Sequence, residues 1–539
     1  MGKIGKNAVE NLTQSMYDDS RIIYREYIQN SSDQIDLAMA NNSFPNEELE
    51  IVITIDDRKR NVFIRDNANG ISRNEIVHKL EDIADSDKKQ GEQKGFRGIG
   101  RLGGIGYCKE VRFVTTYYGE TEETIMIWNA QRLQEIFLDS NNHSSAEEVL
   151  AEVISYETRP VALEEHYFEV QMLGINEAND ELLDYNNIKQ YISEVAPVNF
   201  KNTFIFKSKI DLFLKTHEDE IPKMHCYKVG IRKKGGEINY VHKDYPTKIY
   251  KMLGNHKVAV DDIRDIHTDI IRDDEGRAIA WIWYAITCFK GAINDLGNPW
   301  KGLRLRQFNI QIGSRTTLSK FFSETRGNSY FFGEVHTISK EYRPNARRDY
   351  FTETKEVKDF EFAIREYFKE LSRLYKAGSE INSSFEKIKK LNDLKRDYTQ
   401  KKIKGFISSE TISKMDKEIK EAEVVAQAAL TKLKKTKDKA SSTNETALSQ
   451  LLTAVENARN SNVSQIKLPI ITIVETKDEP SKENKPKKQD KPKLLVDELT
   501  AYDKKTRKLI DKIYTIIQNN MIKEDAYALC TKIQEELKK

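Results

Sequence analysis

The texture of the chain changes at residue 352, and that change limits the possible folds more than any motif does. Up to Phe351, strand-like and helix-like segments alternate, glycines cluster, and all four tryptophans occur (Trp128, Trp281, Trp283, Trp300). From Thr352 onward glycines and aromatics thin out, and Lys, Glu, Ala and Leu dominate. The first part therefore needs both strands and helices. The second reads as helix, with helical periodicity and i,i+4 charge pairs over residues 360–375 and 412–435. No clean heptad persists there, so a coiled coil and a bundle with solvated faces fit equally well. Residues 476–493, TKDEPSKENKPKKQDKPK, hold three prolines and almost no apolar side chain, which predicts a disordered linker. Beyond it, Leu509, Ile510, Ile513, Ile516 and Ile517 form an apolar stripe, as in a small helical hairpin.

Length and charge narrow the classes. At 539 residues the chain should hold several domains. Its 87 basic and 85 acidic residues nearly cancel, which argues against a protein that coats nucleic acid along its whole surface. No apolar run is long enough to span a membrane, and the N-terminus lacks the apolar stretch of a secretory signal. The four cysteines are scattered and none forms a CxxC pair, so neither a zinc knuckle nor a disulfide scaffold is expected. A cytoplasmic protein is the expectation.

The motifs lie in the first part. Residues 97–103 contain a literal GxGxxG, but the polar stretch before it is not the buried strand that a dinucleotide fingerprint follows, and no GxxxxGK[ST] occurs. The glycines still permit backbone N–H groups to approach phosphate oxygens. Upstream, residues 19–40 have helical periodicity, and Glu26, Asn30 and Asp33 project from one face. That face is either an ordinary polar surface or a place that holds water, metal or ligand. Two β-branched runs follow, 49–55 and 62–66, and the second ends in Asp66-Asn67-Ala68-Asn69-Gly70. An Asp at a strand exit can accept from an exocyclic amine, although an Asn-Gly turn alone would explain the same text.

Taken together, Glu26-Tyr27-Ile28-Gln29-Asn30-Ser31-Ser32-Asp33, then Asp66 to Gly70, then Gly95-Phe96-Arg97-Gly98, resemble the motifs of the GHKL superfamily of ATPases: gyrase, heat-shock protein 90, histidine kinases and MutL. The first motif is very similar to that of the heat-shock 90 chaperones, and the third is worded as in MutL. Further on, Arg343-Pro344-Asn345-Ala346-Arg347-Arg348-Asp349 resembles the catalytic loop of the chaperone's middle domain. One departure stands out: the late strand at His166-Tyr167-Phe168-Glu169-Val170 lacks the chaperones' Gly-Thr pair.

The resemblance implies an α+β fold: a Bergerat-type α/β sandwich that binds ATP over residues 1–174, and a middle, transducer domain over 175–351. Texture alone adds long helices over 352–458, a partly disordered linker over 459–493 and a helical hairpin over 494–539. The resemblance further implies Glu26 as general base and Asn30 as a ligand of Mg²⁺. Asp33 would order waters, Asp66 would read the adenine amine, and Gly70 would admit a water. Gly95, Arg97, Gly98, Ile99 and Gly100 would hold phosphates, and Arg348 would reach the γ-phosphate, with Arg304, Arg306 and Arg347 as alternatives. It implies slow, conformationally gated ATP hydrolysis in a heat-shock-90-like or MORC-like switch acting on protein partners, with an ATP-dependent homodimer and a setting in bacterial phage defence. The alternative is a MutL-like or MORC-like clamp on DNA. No membrane association is expected.

Overall fold

The computed structural model describes residues 4–13, 17–81, 94, 99–404, 408–442, 446–463, 495–521 and 523–539. Gly95, Arg97 and Gly98 of the glycine motif lie outside them, as does most of the expected linker. The chain divides into two compact units: residues 1–287 with 291–375, and residues 288–290 with 376–539.

The first unit opens with α1 (Lys6–Thr13) and α2 (Ile22–Ala40), then the hairpin β1 (Glu50–Asp56) and β2 (Asn61–Asp66). There follow β3 (Cys108–Thr116), β4 (Glu122–Trp128), α3 (Ala130–Leu138), α4 (Ala146–Val153), β5 (Ile154–Pro160) and β6 (Tyr167–Ile175). Next come α5 (Tyr185–Val195), α6 (Lys207–Thr216), β7 (Lys228–Lys233) and β8 (Asn239–Tyr240). The strands form one eight-stranded sheet in the order β5-β4-β3-β6-β2-β1-β7-β8. In β1, Ile51, Ile53 and Ile55 point to one face, as the period of two requires, and join Val62 and Ile64 of β2 in a core covered by Ile23, Tyr27, Ile28 and Ile35 of α2. This burial holds α2 flat on the sheet, which sets the direction of its polar residues.

β7 pairs in parallel with β1, Ile51 opposite Val229 and Ile53 opposite Ile231. The first sheet thus takes its last two strands from residues well beyond 174. A parallel partner needs a long crossover, and α5 and α6 lie within the connection that supplies it.

A second sheet comprises β11 (Asp265–Arg272), β12 (Ala278–Ile286), β13 (Gly302–Gln307), β14 (Ile310–Ile312) and β15 (Phe332–Thr337); ahead of it a ribbon pairs β9 (Lys248–Leu253) with β10 (His256–Asp262). Its order is β11-β12-β15-β13-β14. Aromatic residues fill one side, with Tyr245 against Trp283 at 4.7 Å and Trp300 at 4.2 Å between ring centroids. Inside lies a sealed charge cluster. Glu334 accepts from Lys243 Nζ at 2.9 Å and the Tyr245 hydroxyl at 3.0 Å, lies 2.9 Å from His336 Nε2, and forms an ion pair with Arg306, whose Nε is 2.6 Å away. Burial pushes Lys243 down to about 8 and His336 down to about 4, so the imidazole is neutral near pH 7. Burial acts to raise the Glu334 carboxyl, but the Arg306 and Lys243 cations outweigh it and hold the group well below the usual carboxylate range.

Helix α7 (Lys355–Lys404) follows, and α8 (Ser409–Ser442), α9 (Thr446–Val463), α10 (Lys504–Asn520) and α11 (Lys523–Leu537) belong to the second unit. Lys395 meets Glu423 at 2.8 Å and Lys432 meets Glu380 at 2.9 Å, so α7 and α8 run antiparallel. α9 continues to Val463, a few residues into the segment expected to be linker. In the terminal hairpin Ile510 is buried with Tyr514 and Cys530, whereas Leu509, Ile513 and Ile516 of the expected stripe are exposed. The short helix Leu495–Glu498 and α11 cover only one narrow side of α10. Among the described residues no helix is long and apolar enough to cross a membrane.

Candidate nucleotide site

The polar face of α2 is largely buried: Glu26 and Asp33 are each 2% exposed, and Asn30 is half-buried. Glu26 Oε1 lies 3.3 Å from Arg25 Nη2 and 3.0 Å from Arg348 Nε. Its other oxygen faces Gly100, where a Cβ would stand 2.6 Å away, so a side chain there would displace this carboxylate. Ile99, just before, is buried. Asp33 Oδ1 accepts from the Lys94 backbone N–H at 3.0 Å. The Lys94 ammonium continues to Asp36 and to the Tyr227 hydroxyl at 2.7 Å, which fastens the chain next to the glycine motif onto α2.

At the exit of β2, burial pushes the Asp66 carboxyl up to about 6, although Ser31 and the Ala68 N–H, 3.2 Å away, favour its charged form. Asp66 Oδ2 is buried and has no hydrogen-bond partner. Four residues on, Gly70 takes φ +70°, and a Cβ there would meet the carbonyl oxygens of Thr116 at 2.0 Å and Tyr167 at 2.8 Å. No other residue fits that turn. The Ile71 N–H donates to Thr115 Oγ1 at 2.8 Å, and that hydroxyl donates to Tyr167 O at 2.9 Å. The strand that lacks a Gly-Thr pair is β6, and the hydroxyls beside the turn come instead from its neighbour β3, where Thr115 pairs with Phe168 and Thr116 with Tyr167.

Arg348 arrives from a tight loop closed by a bridge between Pro344 and Phe351. Its φ is +54°, a left-handed backbone held by Arg348 N–H on Asn345 O at 3.1 Å and Gly313 N–H on Arg348 O at 2.8 Å. Strain of this kind persists only where the surroundings fix it. The guanidinium reaches Glu26, the Gln29 amide oxygen and, at 3.3 Å, Lys94 O. The other arginines go elsewhere. Arg304 binds Glu194 at 2.8 Å and Gln311 at 3.0 Å, Arg306 belongs to the Glu334 cluster, and the exposed Arg347 stands 3.8 Å from Asp18.

Sequence reasoning did not single out Gln29, Lys94, Thr115 or Thr116. Gln29 could have been found, since it stands i+3 from Glu26 on the same helix. The other three depend on strand pairing and long-range contacts that leave no local signal.

Four buried side-chain atoms at the site, among the described residues, have no hydrogen-bond partner: Asp66 Oδ2, Gln29 Nε2, Arg25 Nε and the Thr116 hydroxyl; the first is an acceptor and the second a donor open to a ligand. An unpaired buried polar atom is costly unless something fills the place. A nucleobase amine suits the first and a phosphate oxygen the second. Among the described residues no group of three His, Cys, Asp or Glu could hold a metal ion; a single neutral oxygen such as that of Asn30 suits Mg²⁺, which keeps most of its shell from water and phosphate.

A helix-covered mixed sheet, an Asp above a glycine turn and an acid on the covering helix define an ATP-binding domain of the GHKL class. The family described as "Histidine kinase-, DNA gyrase B-, and HSP90-like ATPase" matches residues 23–156, and this domain is a GHKL domain of the HSP90-like kind. It is similar to the chaperone protein HtpG of Anaplasma marginale (strain St. Maries), 34% identical over 114 residues, which are 19% of this chain and 18% of the relative. HtpG of Borreliella afzelii (strain PKo) is 37% identical over 102 residues, 16% of each chain. HtpG of Legionella pneumophila (strain Lens) is 36% identical over 111 residues, 18% of each. In these three the match spans less than a fifth of the relative's length.

Proposed function

We propose that this protein binds ATP with Mg²⁺ and hydrolyses it slowly, and that the change from triphosphate to diphosphate switches its domain arrangement for a protein partner, as an ATP-dependent homodimer. The observation that carries the reading is the buried, unpaired Asp66 Oδ2 next to a turn that only Gly70 can make.

In this reading Asp66 accepts the adenine amine. Ionising it without a ligand costs about 3 kcal/mol, from its rise to about 6, and the amine offsets that cost. Asn30 contributes an oxygen to magnesium, which when bound neutralises charge on the phosphates. Gly100, with Gly95 and Gly98 of the same motif, offers backbone donors. Glu26 is the general base for water, a role that needs its carboxylate unshared. Arg348 now occupies that carboxylate at 3.0 Å. Transfer of the Arg348 guanidinium from Glu26 to the γ-phosphate would leave the base with Arg25 alone and neutralise the transition state in one movement, so turnover is gated by a domain motion and is slow.

Asp66→Asn tests the nucleotide reading. The amide turns a donor toward the adenine amine, and the expected loss of ATP binding is roughly 1–3 kcal/mol, or about tenfold to a hundredfold in Kd. Calorimetry that found the same Kd for wild type and Asp66→Asn would remove Asp66 from the site.

A further inference from the structure

We propose that Gln29 is a positioning residue of the nucleotide site: its amide oxygen anchors the Arg348 guanidinium against Glu26, and the strength of that hold sets how fast the arginine leaves for the γ-phosphate. The inference rests on the proposed transfer of Arg348 and adds a residue to which the family resemblance assigns no role.

Gln29 stands three residues after Glu26 on α2, so the two side chains leave the same face of the helix. They meet one guanidinium. Arg348 Nη1 donates to the Gln29 amide oxygen and, at 3.3 Å, to Lys94 O, while Nε forms the ion pair with Glu26 at 3.0 Å. That carboxylate is shared, because Arg25 Nη2 lies 3.3 Å from the same oxygen. A divided ion pair and a long bond to a main-chain carbonyl leave the amide as the group that orients the guanidinium.

The amide is fixed in return. A guanidinium only donates, so the amide must turn its oxygen toward Arg348, and its nitrogen then points where no acceptor stands. Gln29 is 1% exposed, and its Nε2 is buried without a hydrogen-bond partner. Turning the amide over would set two donors against each other, so the orphaned nitrogen persists for as long as the arginine stays. An orphaned buried donor is a cost, and here it belongs to the resting arrangement alone. Once the guanidinium has left, the amide is free to turn its nitrogen to an acceptor. Gln29 thus holds the arginine strongly enough to slow its departure, in an arrangement that departure relieves.

The test measures single-turnover hydrolysis at saturating ATP with magnesium, on the full chain as wild type, Gln29→Met, Gln29→Glu, Arg348→Ala and the double variant Gln29→Met with Arg348→Ala. Methionine keeps the length of the side chain and removes the acceptor together with the orphaned donor, so no unsatisfied atom is left on it. Gln29→Met should hydrolyse ATP about tenfold faster than wild type, the worth of a hydrogen bond to a charged group. Gln29→Glu sets a carboxylate against the guanidinium and should be about tenfold slower. A side chain that merely packs would not give opposite signs with two replacements of nearly its own size. With Arg348 already removed, Gln29→Met should change the rate by less than about twofold, since nothing remains to be held. Slower hydrolysis by Gln29→Met, or a rate within about twofold of wild type, would overturn the inference. So would the same acceleration in the absence of Arg348. A wild type that neither binds nor hydrolyses ATP would overturn the nucleotide reading, and the role of Gln29 with it.

Discussion

Glu26→Gln is expected to bind ATP and fail to hydrolyse it, with single-turnover hydrolysis slowed about a hundredfold to ten-thousandfold, the usual worth of a general base. The substitution keeps the volume of a side chain that is 2% exposed and abuts Gly100, and its amide oxygen still accepts, so no cavity opens. It also leaves Arg25 and Arg348 without the carboxylate they share. Two guanidiniums freed of their partner make the pocket more positive, so the affinity for ATP should hold or rise. Quenched-flow hydrolysis alongside calorimetry separates the two effects. A rate within about threefold of wild type lies far below the span of general-base effects and would take the role away from Glu26.

Arg348→Ala carries the second large effect. An arginine that meets the γ-phosphate is worth about a thousandfold or more, so hydrolysis should drop by that order while ADP affinity stays near wild type. Small-angle scattering gives an independent readout: the wild type should compact with a non-hydrolysable ATP analogue and not with ADP, and the variant should do neither. Two outcomes would count against this. If Arg348 merely blocks Glu26, its removal should speed hydrolysis. If the wild-type profiles with the two nucleotides coincide, no triphosphate-specific closure exists. Arg306→Ala is a poor control, because it removes a cation from Glu334 in a sealed cluster, and breaking a buried pair typically costs about 3–5 kcal/mol of stability. Loss of activity there would report a damaged sheet.

What the sequence made legible was local. The helix bearing Glu26, Asn30 and Asp33 follows from apolar spacing, and the β1–β2 hairpin from two β-branched runs around a polar turn. Asp66 and Gly70 could be named because a strand end and a turn lie within five letters. The unforeseen contacts run across long stretches of chain. Arg348 finds the Gln29 amide 319 residues away, His166 finds the Ala68 carbonyl 98 away, and β7 adds to β1 from the far side of two helices. Thr115 was hidden for a subtler reason. It stands beside the Gly70 turn through the pairing of β3 with β6, and sheet register cannot be read from either strand alone. In α10 the stripe was legible but its burial was not, since burial depends on how much of the helix its partners cover.

Seating Arg348 on Glu26 also bears on how nucleotides are told apart. On the proposed reading, affinity comes from the adenine end, where ADP and ATP are the same molecule, while the fate of the bound nucleotide is decided by whether anything draws the guanidinium away. A ligand whose phosphates stop short leaves the base engaged, and the enzyme idles with its pocket full. Discrimination then resides in turnover and hardly at all in occupancy. A cell rich in ADP would slow such a protein by filling it, without ever triggering a futile cycle.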